Sequence, residues 1–441
     1  MIKQDGYHYF IEEQWENSNI LSEEIFKMIE NSKNKLIEIK YDNKYNYYSF
    51  KFIFVGIMTF KDEIIVVLPK YFNKVYIKEL NCIKQIIKIL RRIPLTIIKN
   101  NRNQFFISNK DNFNEIAICD FIIKDYINNG IYIKKASISR LNTHSDNLDW
   151  KKTINDLYPI VSHGIPIYHD CYYNHQKTKN DAYITQIHIA VLEYSISKYS
   201  ELFDYRLPKI NYSKAKKALL RLGNPNKVVR ELDRQLQETF NDREILLLRS
   251  LRSFFDKSQD NVDGSLSLYG TTSYNLVWEY ICADVFGNEY EKLKDNIENI
   301  IWQRIGGNPV NNTSNTLEPD ILRVVLQDLL ILDAKYYSIK LSNNSVKGNP
   351  SSYDIVKQLT YGLAFKNKGY SEIINCLLYP KENESLIEIF GSVNLAFFEQ
   401  KPIVNVYLSP SLMYERYLNG NKLKEEELIK FTDKIKNLIE E

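Results

Sequence analysis

The segment PDILRVVLQDLLILDAK, Pro319 to Lys335, constrains this chain more than any other. Two apolar runs flank Gln327 and Asp328, and an acid closes each outer end: Asp320 before the first run, Asp333 after the second. The pattern predicts a β-hairpin with its turn at Gln327-Asp328. Antiparallel pairing then returns the chain along itself, so Asp320, Asp333 and Lys335 meet at one edge of a sheet. Leu329 to Leu332 is an unbroken apolar run of the kind buried on both faces. An acid placed directly after such a run is costly unless a partner stabilises it. Two hard carboxylate ligands suit Mg²⁺, with a lysine in reach of a water or a phosphate oxygen. That is the layout of a metal-dependent phosphodiesterase. Taken without its apolar context, the short pattern fits an exposed hairpin with satisfied charges equally well.

The flanks extend the reading. Ser273 to Phe286 spaces Leu276, Val277, Tyr280, Ile281 and Val285 as one face of a helix, with Glu279 inside it. Tyr353 to Phe365 reads as a second helix, on which Asp354, Gln358 and Tyr361 share a face, with Lys357 adjacent. Glu372 to Tyr379 is an apolar strand ended by Pro380. Leu386 to Ile389 and Ile403 to Leu408 are further strands, and Glu425 to Glu441 is a charged amphipathic helix.

Helix, hairpin, helix and strand in this order resemble the core of the PD-(D/E)xK nuclease superfamily. The resemblance implies metal ligands at Asp320, Asp333 and the Ala334 backbone carbonyl, with Glu279 joining them through water. It implies that Lys335 orients the attacking water or stabilises charge, and that Gln358 positions water or substrate. A solvated helix face is the bland alternative for Glu279. The RecB-like branch has Gln-x-x-x-Tyr, whereas this chain has Gln-x-x-Tyr, which leaves Tyr361 open between core and DNA contact.

Longer strings narrow the comparison. YGTTSYNLVWEYICADVFGN (Tyr269 to Asn288), EPDI (Glu318 to Ile321), ILDAKYY (Ile331 to Tyr337) and DIVKQLTYG (Asp354 to Gly362) resemble the LlaJI-type restriction endonucleases. So do FVGIMTF (Phe54 to Phe60), IIVVLPKYF (Ile64 to Phe72), DWKKTI (Asp149 to Ile154) and GIPIY (Gly164 to Tyr168). That family is similar in turn to McrC, the nuclease subunit that works with an McrB-type AAA+ GTPase. The resemblance implies an Mg²⁺-dependent DNA endonuclease of a bacterial restriction (phage-defence) system, with Mn²⁺ as a possible substitute metal. It implies double-stranded DNA as substrate, an McrB-like AAA+ GTPase as partner, and an oligomeric complex. By the same likeness the N-terminal domain docks on the GTPase ring. Two alternatives stay open: an autonomous repair or recombination nuclease, and a non-cleaving scaffold that regulates an NTPase.

The rest of the chain sets bounds. At 441 residues it is long enough for two or three cores. Net charge is +3, from 58 basic and 55 acidic residues, so charge neither selects nor excludes DNA. Cys82, Cys119, Cys171, Cys282 and Cys376 are scattered without Cys-x-x-Cys spacing, which suits reduced thiols in the cytoplasm. There is no signal-peptide core and no run long enough to span a membrane. Gly-x-x-x-x-Gly-Lys-Ser/Thr does not occur, so this chain is expected to bind no nucleotide itself.

The expected class is α/β, mixed α+β overall. A β-rich N-terminal domain (1–135) includes short apolar runs such as Ile64 to Leu68 and Ile116 to Ile123, with a helical insertion at Ile77 to Arg92. Lys70 and Tyr71 fall in a connection after Pro69, where a solvated loop is the default and a partner-facing role the minority reading. A mainly helical middle region (136–260) follows. There Arg243, Arg249 and Arg252 form a basic set, solvated or lining a DNA channel, and His163, His169 and His175 match no zinc spacing. A polar linker, Asp256 to Gly264, leads into the nuclease domain (261–441), and a polar loop, Gly306 to Thr316, precedes the hairpin.

Overall fold

The computed structural model describes the chain apart from residues 1, 5–6, 33–34, 43–46, 73–79, 102–103, 107–113, 144–146, 180–181, 261–265, 298–299, 304, 313–316, 343–344, 396, 398–400 and 441. The start of the expected Ile77 to Arg92 helix and the ends of the 256–264 linker and the 306–316 loop lie outside the described residues. Helices and sheets of both kinds make a mixed α+β protein. Two compact units are present, one from residues 1–107 with 268–441 and the other from 108–267. The cuts expected near 135 and 260 differ from these.

In the first unit, a five-stranded mixed sheet is built from the predicted elements. We label its parts α1 (Tyr274–Phe286), β1 (Ile321–Val325), β2 (Asp328–Ala334), α2 (Ser352–Ala364), β3 (Ile373–Pro380), β4 (Ile387–Val393), β5 (Ile403–Leu408), α3 (Pro410–Asn419) and α4 (Glu425–Glu440). The spatial order is β1-β2-β3-β5-β4, with β2, β3 and β5 parallel and the two edge strands antiparallel to their neighbours. Leu329, Leu330, Ile331 and Leu332 are fully buried, as a central strand covered on both faces requires. On one face, Leu329 and Ile331 pack with Leu322, Tyr361 and Phe365 under α2.

The hairpin turn sits one residue earlier than expected. Val325 pairs with Asp328, which leaves Leu326 and Gln327 as the two-residue loop. Leu326 adopts a φ of 56° and is largely exposed. Primed two-residue turns match the twist of the strands they join, and this geometry overrides the hydrophobicity of Leu326. Asp328 is thereby freed from the turn and pairs at 2.6 Å with Lys436 of α4.

The outer edge of β1 is closed by the segment after α1. Gly287, at φ 69°, ends that helix in a left-handed turn that a side chain would strain. Asn288 then accepts from Leu322 N (3.0 Å) and donates to the Asp320 carbonyl (3.0 Å), while Glu289 accepts from Val324 N (3.1 Å). Edge pairing with another chain is blocked by these side chains.

The same unit holds a six-stranded sheet from the N-terminal part of the chain. Its strand Tyr7–Ile11 lies parallel to Glu63–Leu68, and Val55–Phe60 lies antiparallel to the latter. Ser267–Thr271, from beyond the middle of the chain, joins this sheet between Val55–Phe60 and Phe105–Phe106. Gly56 and Gly270 face one another, and a Cβ on either would collide with the opposite backbone. The strand thus enters where only glycine permits the approach.

The second unit is mainly helical, with Tyr183–Tyr199, Tyr212–Arg221, Pro225–Gln237 and Asp242–Asp260 as predicted in kind. Ile116 to Ile123 is helix, not strand. It lies in Glu115–Asn129, capped by Asn114 and ended at Gly130. Ile118, Ile122 and Ile123 pack against Ile184, Val191 and Leu247, so the segment belongs to the helical core rather than to a sheet. A short apolar run does not separate a buried helix from a strand, and tertiary packing decided the outcome. Also unexpected are an antiparallel pair of Lys134–Leu141 with Tyr172–Lys179 and a small hairpin of Ile160–Ser162 with Ile165–Ile167. Arg243 is bound by Asp125 (2.6 Å), and Arg252 by Asp233 (2.5 Å) and Asp256 (2.7 Å), so two of the basic set are neutralised within the unit.

His188 is fully buried, and its Nδ1 accepts from Tyr132 N at 2.9 Å. Burial, aided by Arg243 and opposed by Asp125, depresses its pKa to about 4. The unfolded chain then takes up a proton near pH 6.5 that the folded chain refuses until about pH 4. Stability from this group is complete above pH 6.5 and falls as pH drops through that window. Urea unfolding of wild type and His188→Gln should diverge between pH 7 and 4, the wild type losing about 3 kcal/mol relative to the variant.

Candidate active site

The site is built at the open end of the β1–β2 hairpin. Ile321 pairs with Leu332, so the next positions outward, Asp320 and Asp333, oppose each other. Ala334 N donates to Asp320 Oδ2 at 2.8 Å, which fixes that carboxylate across the end of the hairpin. Asp333 is only 3% exposed, the cost foreseen for an acid closing a buried run. Its partner is Lys335, whose Nζ lies 2.6 Å from Asp333 Oδ2. The ammonium also donates to Asp354 Oδ1 at 2.9 Å.

Asp354 is the residue whose part the sequence reading did not assign, although its place on the Gln358 face was legible. It sits at the third position of α2 and forms a capping box with Ser351: Ser351 N and Oγ donate to Asp354 Oδ2 at 2.9 and 2.6 Å, and Asp354 N donates back to Ser351 Oγ at 3.2 Å. One carboxylate therefore starts the helix and holds the lysine. The signal that would have found it is Ser-x-x-Asp at a helix start.

Burial raises the pKa of Asp320, and the charges of Asp333 and Glu279 raise it further, against the Ala334 N–H and Lys335. Glu279 on α1 is pushed up to about 7 by burial, with Asp333 adding to the rise and Asn275, Lys335 and Lys357 opposing it. Charge among the three acids thus raises proton affinity at Asp320 and Glu279, while Glu279 itself is half-buried and accepts from Asn275 at 3.4 Å. Burial works against the charge of Lys335, but Asp333 and Asp354 outweigh it and hold its pKa above the ordinary lysine range. Lys357, one turn along α2 from Asp354, also feels Asp333 and Asp320, and its Nζ lies 5.5 Å above the Tyr361 ring.

Gln358 is 1% exposed, and none of its hydrogen bonds goes to the three acids. Its Nε2 donates to the Ile331 carbonyl (2.8 Å), with Asn375 Oδ1 and the Cys376 carbonyl at 3.4 Å. This amide braces α2 against β2 and β3. Tyr361 is buried, and its hydroxyl donates to the Glu318 carbonyl at 2.7 Å, pinning the approach to Asp320.

Two opposed aspartates, the charge of Asp333 raising the proton affinity of Asp320, are donors of the kind a hard divalent cation takes. Among the described residues, no three His, Cys, Asp or Glu side chains are clustered as a complete metal cage.

Sequence comparison places the chain in a class of DNA-restriction enzymes. It belongs to the LlaJI restriction endonuclease family, whose model matches residues 54–411. The Type II restriction enzyme BsuMI component YdjA of Bacillus subtilis (strain 168) is 29% identical over 402 residues, covering 87% of this chain and 84% of that protein. Among solved structures, one of Thermococcus gammatolerans McrB AAA+ hexamers with bound McrC aligns over 93% of this chain and 99% of that one, at 13% identity and a TM-score of 0.40. Another, of the Thermococcus gammatolerans McrBC complex, covers 62% of this chain and 84% of that one, at 11% identity and a TM-score of 0.27. Among the described residues, no helix is long and apolar enough to cross a membrane.

Removing the Gln358 amide while keeping its bulk should expose its bracing role. Gln358→Leu leaves the Ile331 carbonyl without that donor and should destabilise the first unit by about 1–3 kcal/mol in chemical denaturation.

Proposed function

We propose that this chain is the Mg²⁺-dependent endonuclease subunit of a restriction system, with a PD-(D/E)xK core in its C-terminal part (261–441). The observation that carries the reading is the placement of Asp320, Asp333 and Lys335 at one hairpin end, in a member of a restriction endonuclease family. Asp320, Asp333 and the Ala334 carbonyl hold the cation, and Mn²⁺ substitutes for it. Such a cation, when bound, lowers the pKa of a coordinated water and offsets charge building at phosphorus.

The remaining work belongs to the chain. The Ala334 N–H keeps the Asp320 carboxylate turned across the hairpin. Lys335, already charged and aimed by two carboxylates, presents a compact ammonium for a phosphate oxygen or the attacking water. Glu279, whose pKa burial pushes up to about 7 in the absence of a cation, would join the cation through water. Gln358 keeps α2 and β2 in register, and through them Asp354 and Lys335. Its Nε2 is committed to strand acceptors, and its Oε1, without a partner among the described residues, is the atom left for positioning a water.

Double-stranded DNA is the substrate in this reading, and the reaction takes place in the cytoplasm. The Bacillus subtilis relative is described as a component, which fits a chain that acts with other subunits. The sequence likeness to McrC supports an McrB-like AAA+ GTPase as the motor, with the N-terminal sheet docking on it and an oligomeric assembly resulting. The Gly-x-x-x-x-Gly-Lys-Ser/Thr motif is missing from the sequence, in keeping with a motor on a separate polypeptide in this reading.

Plasmid cleavage in Mg²⁺ by this chain plus its NTPase partner, with and without GTP or ATP, tests the reading. Asp333→Ala and Asp320→Ala should each lower the rate on the order of a thousandfold, the loss of about 4 kcal/mol of transition-state stabilisation. Both should retain the wild-type circular dichroism. Cleavage by Asp333→Ala at the wild-type rate would show the site to be elsewhere.

A further inference from the structure

The residue after Lys335 is tied to the opposite end of the chain. Tyr336 is buried, and its hydroxyl donates to Glu12 Oε2 at 2.5 Å. Glu12 directly follows the strand Tyr7–Ile11 of the six-stranded sheet and is itself 7% exposed. Lys70 follows the parallel neighbour Glu63–Leu68 by two residues, and its backbone N–H is shared between the Tyr336 hydroxyl (3.3 Å) and Glu12 Oε2 (3.4 Å). The Lys70 ammonium pairs with Glu13 at 2.8 Å and lies 4.7 Å above the Tyr336 ring.

Tyr71 continues the contact, its ring set edge-on to Tyr336 at 6.1 Å and near Trp278 at 6.5 Å. Its hydroxyl meets that of Tyr414 on α3, which also accepts from Tyr274 at 3.1 Å. Tyr274 and Trp278 belong to α1, which carries Glu279, and the Tyr274 ring lies 5.7 Å from Tyr336. Lys70 and Tyr71 are therefore packed against the catalytic elements instead of forming a solvated loop.

Packing alone does not explain this arrangement. A buried carboxylate is costly, and a leucine facing a phenylalanine would fill comparable space without the desolvation penalty. What the acid and phenol add is direction: one short bond that fixes where the Tyr336 hydroxyl lies, and with it the chain that leaves Lys335. On the other side, Lys335 N donates to the Leu378 carbonyl at 2.8 Å. The lysine backbone is thus held between β3 and the N-terminal sheet.

We propose that Tyr336 is a positioning residue for Lys335, and that Glu12 and the Lys70–Tyr71 turn hold it in place. The strand ends of the N-terminal sheet then set the alignment of Lys335 with Asp333 and Asp354. A displacement of that sheet, such as docking on a partner would impose, passes to the lysine through Tyr336, chiefly by its bond to Glu12 and also by its contacts with Lys70 and Tyr71. The effect on cleavage rests on the nuclease reading above, whereas the effect on Lys335 itself does not.

Amine acylation of Lys335 in the full-length chain, followed by mass spectrometry, reads the alignment without DNA. An ammonium clamped by two carboxylates reacts slowly, and Asp354→Asn provides the loosened control. Tyr336→Phe and Glu12→Leu should each speed Lys335 acylation about fivefold or more in protein that remains folded, through loss of one buried bond. In plasmid cleavage, the same variants should lower kcat about tenfold or more with KM for DNA within about twofold, as expected for misalignment rather than lost binding. Glu12→Gln keeps an acceptor for the Tyr336 hydroxyl and should restore both readouts to near wild type. The double variant Tyr336→Phe/Glu12→Leu should fall well short of the sum of the single effects, since both remove the Tyr336–Glu12 bond and the double adds only the loss of the second acceptor of Lys70 N. Unchanged acylation of Lys335 in folded Tyr336→Phe and Glu12→Leu would overturn the proposal, whether or not any of the proteins cuts DNA. Wild-type cleavage by Asp333→Ala would instead remove the nuclease reading and leave the acylation result to decide the positioning role.

Discussion

Asp333 stands at the end of a strand whose preceding four residues are wholly buried, and its charge has to be balanced there. An isolated buried carboxylate costs several kcal/mol, so the structure around it is organised to supply cationic and polar partners. Lys335 supplies the nearest charge, and Asp354 holds Lys335 from the start of α2. The helix start, the strand end and the lysine are consequently one electrostatic unit. Asp320 enters it through the hairpin register and Glu279 through the field of α1. Charge among the acids raises proton affinity at Asp320 and Glu279, and in the reading proposed above a divalent cation takes the place of those protons.

Much of this was legible in the sequence because it followed from short-range rules. The β1–β2 hairpin was announced by two apolar runs, α1 and α2 by helical spacing, and the convergence of Asp320 with Asp333 by antiparallel pairing. The turn was misplaced by one residue, since hydrophobicity argued for Leu326 in a strand while strand twist required it in the loop. The role of Gln358 was read from a family pattern, and its amide proves to be engaged by strand carbonyls, a matter of rotamer that no spacing reveals.

Long-range features were not legible. Nothing local marks Ser267–Thr271 as a strand of the N-terminal sheet. Only Gly56 and Gly270, whose Cβ atoms would collide, carry the signature, and they lie far apart in sequence. The helix Glu115–Asn129 was hidden by its near-continuous apolar character, which suits a buried strand equally well. Glu12, Lys70 and Tyr336 likewise look ordinary until the fold brings them together. Their meeting ties the N-terminal sheet to the strand end that presents Lys335, so the part of the chain expected to face a partner is also mechanically close to the chemistry.

The central claim is that Asp320 and Asp333 jointly hold a divalent cation. Electron paramagnetic resonance of Mn²⁺ titrated into the full-length protein addresses it without DNA, nucleotide or partner. The account predicts a bound Mn²⁺ population in the wild type that is lost in both Asp320→Asn and Asp333→Asn while their folds persist. Equal Mn²⁺ binding by wild type and both variants would contradict it.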